Sequence, residues 1–361
     1  MTLQTSLYDW HVAQNGRMVD FAGWKMPIQY TSIVEEHHAV RRAAGLFDIS
    51  HMGRLNFVGP QASALINHLV TIDVDKMKVG QVRYALVCNE QAGILDDVLV
   101  YRLPETWWMV VNASNREKIL AWIATHQASF DAQVEDKTFD LGMIALQGPE
   151  ALTVMNTFVG SIAANLKYYQ VAEGWFFDEP ALISRTGYTG EDGFEIILHA
   201  GLLSSVCEDF LAMGGPAGLK PCGLGCRDTL RLEAAMPLYG HELNETIDPL
   251  TAGLAFAVKL DKSGFLGQAA LKEIATKTDR PVRVGLELEG RRIAREGASV
   301  LANQQSIGHV TSGTFSPTLE RAIAMGYLAP EYATPGTPLQ IDIRGTAVNA
   351  TVTPLPFYKR D

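Results

Sequence analysis

Two adjacent carboxylates stand in an apolar run, Gly93-Ile94-Leu95-Asp96-Asp97-Val98-Leu99-Val100-Tyr101. Side chains alternate across a strand, so Asp96 and Asp97 face opposite ways and cannot form one dyad. Apolar residues lie on both faces, which puts at least one carboxyl where the dielectric is low and a partner is needed. One reading is an acid–base group or substrate anchor. The other is a strand start at Gly93 with both carboxylates solvated. A second segment, Ser184-Arg185-Thr186-Gly187-Tyr188-Thr189-Gly190-Glu191-Asp192-Gly193-Phe194-Glu195, spaces three glycines evenly. A strand follows it and no Gly-Lys-Ser/Thr does, so it is neither a phosphate loop nor a dinucleotide fingerprint. Pattern alone makes it a hairpin loop. The sharper reading brings Tyr188 and Glu195 to a ligand. A third segment becomes helical after Gly225 and sets Arg227, Arg231 and Ala234 on one face. Asp228 and Glu233 are within reach of the arginines, and a surface ion network is the plain expectation.

Other chemistry is weakly represented. His37 and His38 are adjacent on a helix and cannot both face one metal. Cys222 and Cys226 are four apart without a second ligand pair nearby in sequence, which disfavours zinc. No Gly-x-Ser-x-Gly elbow and no His-Glu-x-x-His occur.

The elements that must position these groups show their ends. Ser32-Ile33-Val34-Glu35 reads as a capping box, and Ser114 with Glu117 as another. Strand-like Arg54–Val58 runs into Gly59-Pro60, and Met143–Gln147 into Gly148-Pro149. An apolar helix follows each, with Pro expected at the first helical position. Each helix leads to further strands and another helix, so two ferredoxin-like α+β units are expected. From Val282 the texture changes to short alternating strands punctuated by Gly and Pro, which reads as a small β-barrel or jelly-roll-like domain.

Composition agrees. The chain has 361 residues, 47% hydrophobic and 19% charged, enough for two or three domains with large cores. No apolar run approaches a membrane span. A net charge of −10 argues against a sequence-independent nucleic-acid binder. Four scattered cysteines fit free thiols in a reducing compartment. Met1-Thr2-Leu3-Gln4 has no basic or apolar leader character, so a cytoplasmic bacterial location is expected, although a processed mitochondrial matrix chain would read the same.

Six motifs in order resemble one family. They are Met18-Val19-Asp20-Phe21-Ala22-Gly23-Trp24, Gly45-Leu46-Phe47-Asp48-Ile49-Ser50-His51-Met52-Gly53, Gly93-Ile94-Leu95-Asp96-Asp97, Arg185-Thr186-Gly187-Tyr188-Thr189-Gly190-Glu191, Arg227-Asp228-Thr229-Leu230-Arg231-Leu232-Glu233 and Thr311-Ser312-Gly313-Thr314-Phe315-Ser316-Pro317-Thr318-Leu319. Together they are similar to the aminomethyltransferase, or T-protein, of the glycine cleavage system, from about Leu7 to Tyr358. Ala92 stands where that family often has Gly.

The resemblance implies a three-domain cloverleaf of α+β class with tetrahydrofolate as co-substrate and no metal. Residues 1–52 and 140–243 would form the folate-binding α+β domain, 53–139 the second α+β domain and 264–361 the C-terminal β domain, with 244–263 as connector. It implies one-carbon transfer from the aminomethyl-lipoyl arm of H-protein to tetrahydrofolate. Glycine decarboxylase (P-protein) and dihydrolipoyl dehydrogenase (L-protein) would be functional partners. Asp97 corresponds to the catalytic carboxylate. Glu195, Arg227, Tyr188, Asn112, Tyr84, Met52, Tyr101 and Tyr358 correspond to folate or substrate contacts. A folate-dependent demethylase on the same scaffold is the alternative. The iron–sulfur assembly relatives carry a Lys-Gly-Cys-Tyr-x-Gly-Gln-Glu signature that this chain lacks. The resemblance to an enzyme acting on an acidic carrier also gives the net charge a meaning: a local basic patch should offset it, with Arg291, Arg292 and Arg295 beside Arg227 and Arg231 as candidates.

Overall fold

The computed structural model describes residues 2–360 and divides the chain into two compact units. The first holds residues 1–85 and 97–227. The second holds residues 86–96 and 228–361.

The main layer of the first unit is a six-stranded sheet in the order Val171–Phe176, Glu179–Ser184, Gly193–His199, Leu141–Gln147, Gly45–Asp48, Lys220–Pro221. Its central strands Gly193–His199, Leu141–Gln147 and Gly45–Asp48 are buried almost throughout, whereas the edge strand Val171–Phe176 alternates and leaves Trp175 exposed. Helices Ala151–Val159 and Leu203–Gly214 pack against it, burying Leu146, Ile183, Phe194, Ile196 and Phe210 in one core. Each such side chain contributes about 1.5–3 kcal/mol by leaving water. A small three-stranded sheet of Leu3–Gln4, Trp24–Gln29 and Arg17–Phe21 opens the chain. A five-stranded sheet has the order Gln81–Cys88, Ile94–Arg102, Trp107–Val111, Gly53–Val58, Gln133–Asp136.

In the second unit, six strands close into a barrel in the order Val282–Leu288, Arg321–Leu328, Gln305–Ser316, Ser299–Ala302, Pro338–Ile343, Thr346–Thr353. Closure by antiparallel pairing of the first strand with the last leaves no edge. Val284, Leu286, Val310, Ala324, Leu328, Ile341 and Val352 fill its interior. The α+β class and the terminal barrel thus match the expectation from sequence. Ser299–Ala302 is the barrel strand that the alternation pattern did not reveal.

Several local expectations are corrected. The capping box at Ser32 forms, with Glu35 N–H donating to Ser32 Oγ at 3.2 Å. The one expected at Ser114 does not: a 3₁₀ turn, Ala113–Asn115, precedes the helix Arg116–Gln127, and Asn115 is its N-cap. Pro60 and Pro149 do not occupy the first helical position; they stand just before the N-caps Gln61 and Glu150. The glycine before each proline explains the echo. Gly59 has φ +106° and Gly148 φ +135°, so both strands turn into their helices through backbone that a side chain would strain. Ala92 has φ +71°, a left-handed backbone unusual for a residue with a side chain.

On the helix Leu224–Glu233 the expected pairing of Asp228 with an arginine forms, Arg231 Nε to Asp228 Oδ1 at 2.8 Å, but the rest of the network is buried instead of lying on the surface. Arg231 is buried and pairs with Glu242 at 2.9 Å while donating to Ser312 Oγ at 2.8 Å. Glu233 is fully buried and accepts from the Ser316 and Thr318 hydroxyls. Helix-level periodicity predicted one face for Arg227, Arg231 and Ala234. It could not predict that barrel strands would cover that face.

Candidate active site

The strand Ile94–Arg102 separates the two carboxylates as alternation requires. Asp96 is fully buried and Asp97 half-buried, so the reading with both solvated is set aside. Asp97 is held from two neighbouring elements. Tyr84, on Gln81–Cys88, donates its hydroxyl to Asp97 Oδ2 at 3.1 Å. Asn112, just past Trp107–Val111, donates Nδ2 to Asp97 Oδ1 at 2.8 Å and to the Asp97 carbonyl at 3.1 Å. Two donors fix the carboxylate plane without neutralising it. An oriented anion of this kind can accept a proton or stabilise positive charge that develops beside it.

A second cluster surrounds Glu195 on the strand Gly193–His199. Thr186 Oγ1 donates to Glu195 Oε2 at 2.6 Å, and Ser184 and Thr186 hydroxyls lie 2.7 Å apart. Burial raises the Glu195 carboxyl above the ordinary carboxylate range, opposed by the Thr186 hydrogen bond and the charge of Arg227. The Arg227 guanidinium lies over the Tyr188 ring at 4.7 Å, a cation–π contact. Its Nη1 is buried without a hydrogen-bond partner. Tyr101 is buried beside Glu195, with the Ser184 and Thr186 hydroxyls close to its own. Burial and the Glu195 charge push that phenol well above its ordinary value.

The glycine loop carrying Tyr188 is shaped by Gln147, at the end of the strand Leu141–Gln147. Gln147 Nε2 donates to the Thr186 carbonyl at 3.0 Å, and its Oε1 accepts from Thr189 Oγ1 at 3.0 Å. A Cβ on Gly187 would stand 1.8 Å from Gln147 Oε1, so the glycine permits this close approach. Arg41 ties the loop tip, donating to the Thr189 carbonyl at 2.7 Å and to Glu191 Oε1 at 3.0 Å. The segment is therefore a hairpin loop, and it holds Tyr188 against Arg227.

Eight of the nine residues singled out from the sequence lie in the first unit, seven of them in the two clusters above. Met52 is half-buried, and its carbonyl accepts from Arg54 Nη1 at 2.8 Å. Tyr358 belongs to the second unit, where its N–H donates to the Glu233 carbonyl at 2.8 Å.

Two further residues were not legible as site groups. Tyr169 has φ +62°, unusual for a bulky residue, and the charges of Glu195, Arg83 and Asp97 all act on it. His51 is buried next to Arg227 and Arg54; burial and these cations bring its imidazole down to about 4, against the pull of Asp48. The motif containing His51 was visible, but nothing in its spacing said that two guanidinium groups would converge on it.

Glu36 joins Cys222 and Cys226, their ligand atoms all within 4.8 Å. The Glu36 carboxylate already accepts N–H bonds from Tyr30, Thr31 and Gly223. Burial pushes the Cys226 thiol well up. A saturated carboxylate and a thiol this hard to ionise make a structural cap, not a ready metal site.

Comparison with known proteins completes the assignment. Residues 7–262 match the GCVT N-terminal domain, and residues 282–359 match the glycine cleavage T-protein C-terminal barrel domain. The aminomethyltransferase of Streptomyces coelicolor is 48% identical over 363 residues, covering 99% of this chain and 98% of that protein. That of Bacillus cereus is 44% identical, covering 100% and 99%. The crystal structure of glycine cleavage system aminomethyltransferase T from Bartonella henselae superposes with a TM-score of 0.93 at 35% identity, covering 99% of each chain. The α+β body, the closed barrel and these matches define an enzyme of the aminomethyltransferase class. The chain belongs to the glycine cleavage T-protein family.

Proposed function

We propose that this enzyme transfers a one-carbon unit from the aminomethyl-lipoyl arm of H-protein to tetrahydrofolate. The products are 5,10-methylenetetrahydrofolate, ammonia and dihydrolipoyl H-protein. The balance closes: the two folate N–H hydrogens leave, one with the amine as ammonia and one with the sulfur as thiol. The observation that carries the reading is the Asp97 carboxylate, fixed by Tyr84 and Asn112 in a chain of this family.

Asp97 acts as the catalytic carboxylate. It orients the attacking folate nitrogen and stabilises the cationic carbon–nitrogen centre that forms as the S–CH2 bond opens. Glu195, Arg227, Tyr188, Tyr101, Met52, Asn112, Tyr84 and Tyr358 serve as folate or substrate contacts. Much of the rate enhancement comes from holding two reactants together. No metal is required by this chemistry. P-protein and L-protein act before and after this step, in the cytoplasm of a bacterium.

We also propose the three-domain division given by the resemblance. The six-stranded sheet draws on 45–48 and 141–221, the five-stranded sheet on 53–136 and the barrel on 282–353, which supports it.

The test is ammonia release from aminomethylated H-protein, measured with and without tetrahydrofolate. Strong stimulation by folate is expected. Release that is indifferent to folate would refute the reading.

A further inference from the structure

The chain crosses twice between the two larger sheets described above. Gly45–Asp48 of the six-stranded sheet runs into Gly53–Val58 of the five-stranded sheet, and Gln133–Asp136 returns to Leu141–Gln147. One side chain grips both crossings. Arg54 is fully buried. On the outgoing crossing its Nη2 donates to the Ser50 carbonyl at 3.0 Å and its Nη1 to the Met52 carbonyl at 2.8 Å. On the returning crossing Nη2 donates to the Thr138 carbonyl, and to the Leu141 carbonyl at 2.9 Å. The backbone adds to the grip: Arg54 N–H donates to Thr138 Oγ1 at 3.1 Å, and Lys137 N–H to the Arg54 carbonyl at 2.9 Å.

Filling this space does not call for a guanidinium. Taking a cation out of water costs free energy that neutral carbonyls return only in part, and burial brings the Arg54 pKa down to about 10. An apolar side chain of similar volume would pack there without that cost. It would lack direction. The planar fork fixes the placement of its acceptors, so four carbonyls from two crossings are held in one geometry. The sheets also meet beside their edge strands, where Val82 N–H donates to the Tyr169 carbonyl and Val171 N–H to the Gly80 carbonyl, each at 2.9 Å. One edge contact leaves the angle between two sheets adjustable, and a second, gripped junction removes that freedom.

That angle bears on the chemistry. The five-stranded sheet carries Asp97 and the six-stranded sheet carries Glu195. Resting on the reading of Asp97 as the catalytic carboxylate, we propose that Arg54 is a positioning residue for the transfer: it locks both crossings and so fixes the sheet that bears Asp97 against the sheet that bears Glu195. Arg54 acts through the place of Asp97, not on a reactant.

The experiment is a double-mutant cycle on ammonia release from aminomethylated H-protein at saturating tetrahydrofolate. Arg54→Met and Arg54→Lys are measured alone and with Asp97→Asn, well below the melting temperature of each variant. Arg54→Met should lower kcat about 10-fold or more, the size of loss that displacing a reacting group brings. Arg54→Lys keeps the charge without the fork and should fall between. In the Asp97→Asn background the same substitutions should change kcat by no more than about twofold, since no carboxylate remains to misplace. A merely structural role would act equally in both backgrounds. Thr138→Val removes the acceptor of the Arg54 N–H and carries the same cycle if the Arg54 variants do not fold, with a smaller loss that again requires Asp97. A folded variant with wild-type kcat, or an equal loss in both backgrounds, overturns the proposal and leaves the folate reading standing. Wild-type release that is indifferent to folate overturns both.

Discussion

Asp96 and Asp97 are chemically identical and adjacent, and their surroundings separate them. Asp97 is half-buried between Tyr84 and Asn112, whereas Asp96 is fully buried on the opposite face. Asp97→Asn keeps the hydrogen-bonding shape and removes the charge, so turnover should fall about 100-fold or more with little change in melting temperature. Asp96→Asn should act mainly on stability, by about 1–3 kcal/mol, with a milder effect on turnover. Steady-state rates and melting curves decide this, and equal rate losses would refute the face assignment. His51 gives a pH signature. Its folded-state value of about 4 lies below the ordinary 6.5, so the unfolded chain takes up the proton first as pH falls. Stability is full above pH 6.5 and drains away toward pH 4, by about 3 kcal/mol in total. Asp48 behaves in a separate window. Burial would raise its carboxyl, but hydrogen bonds and the charge of His11 bring it to about 2, so its contribution is lost only below about pH 3.8. Urea titrations at pH 7 and pH 5 should show a loss of about 2 kcal/mol in the wild type that is absent from His51→Phe. An equal loss in both would contradict the assignment.

At the scale of elements, the loop Ser184–Glu195 shows what spacing can and cannot say. Three evenly placed glycines announced a turn. The reason for Gly187 lies elsewhere, in the Gln147 amide at the end of another strand. Gly187→Ala should force that amide away, costing about 1–3 kcal/mol and weakening folate binding because Tyr188 loses its place. Thermal melting with folate titration checks this, and a wild-type melting point would overturn it. The helix Leu224–Glu233 is a second case. Its arginines were legible as one face, yet Arg231 ends up in a buried pair with Glu242. Arg231→Met should cost about 3–5 kcal/mol, because Glu242 is left as an uncompensated buried charge. Arg231→Met with Glu242→Gln should recover part of that loss in denaturant titrations. The Asp97 trio was less legible, since Tyr84 and Asn112 were singled out only through family resemblance. Their meeting depends on which strands pair, and pairing is not local information.

At the scale of the whole molecule, the net charge of −10 would slow encounter with an acidic carrier unless a local basic surface offsets it. Arg291, Arg292 and Arg295 are exposed, and Arg291 lies over Phe315 at 4.6 Å. Arg231 cannot contribute to such a surface because it is buried. Reversing Arg292 and Arg295 to Glu should lower kcat/KM for aminomethylated H-protein several-fold at low salt, with kcat and melting temperature preserved. An unchanged kcat/KM would exclude this patch from carrier docking. Among the described residues, no helix is long and apolar enough to cross a membrane. The sequence by itself determined the α+β class, the terminal barrel, the loop at Gly187 and the ordered motifs that mark the family. Those features rest on local periodicity, turn chemistry and residue identity, which a linear chain displays. Only the tertiary structure decided that Asp97 faces Tyr84 and Asn112, that Tyr169 takes a left-handed backbone, and that Arg231 is buried. It also decided that His51 and Arg227 are buried with unpaired nitrogens. Each of these depends on burial and on contacts between residues far apart in the chain, where desolvation sets both the charge and the hydrogen bonding of a side chain.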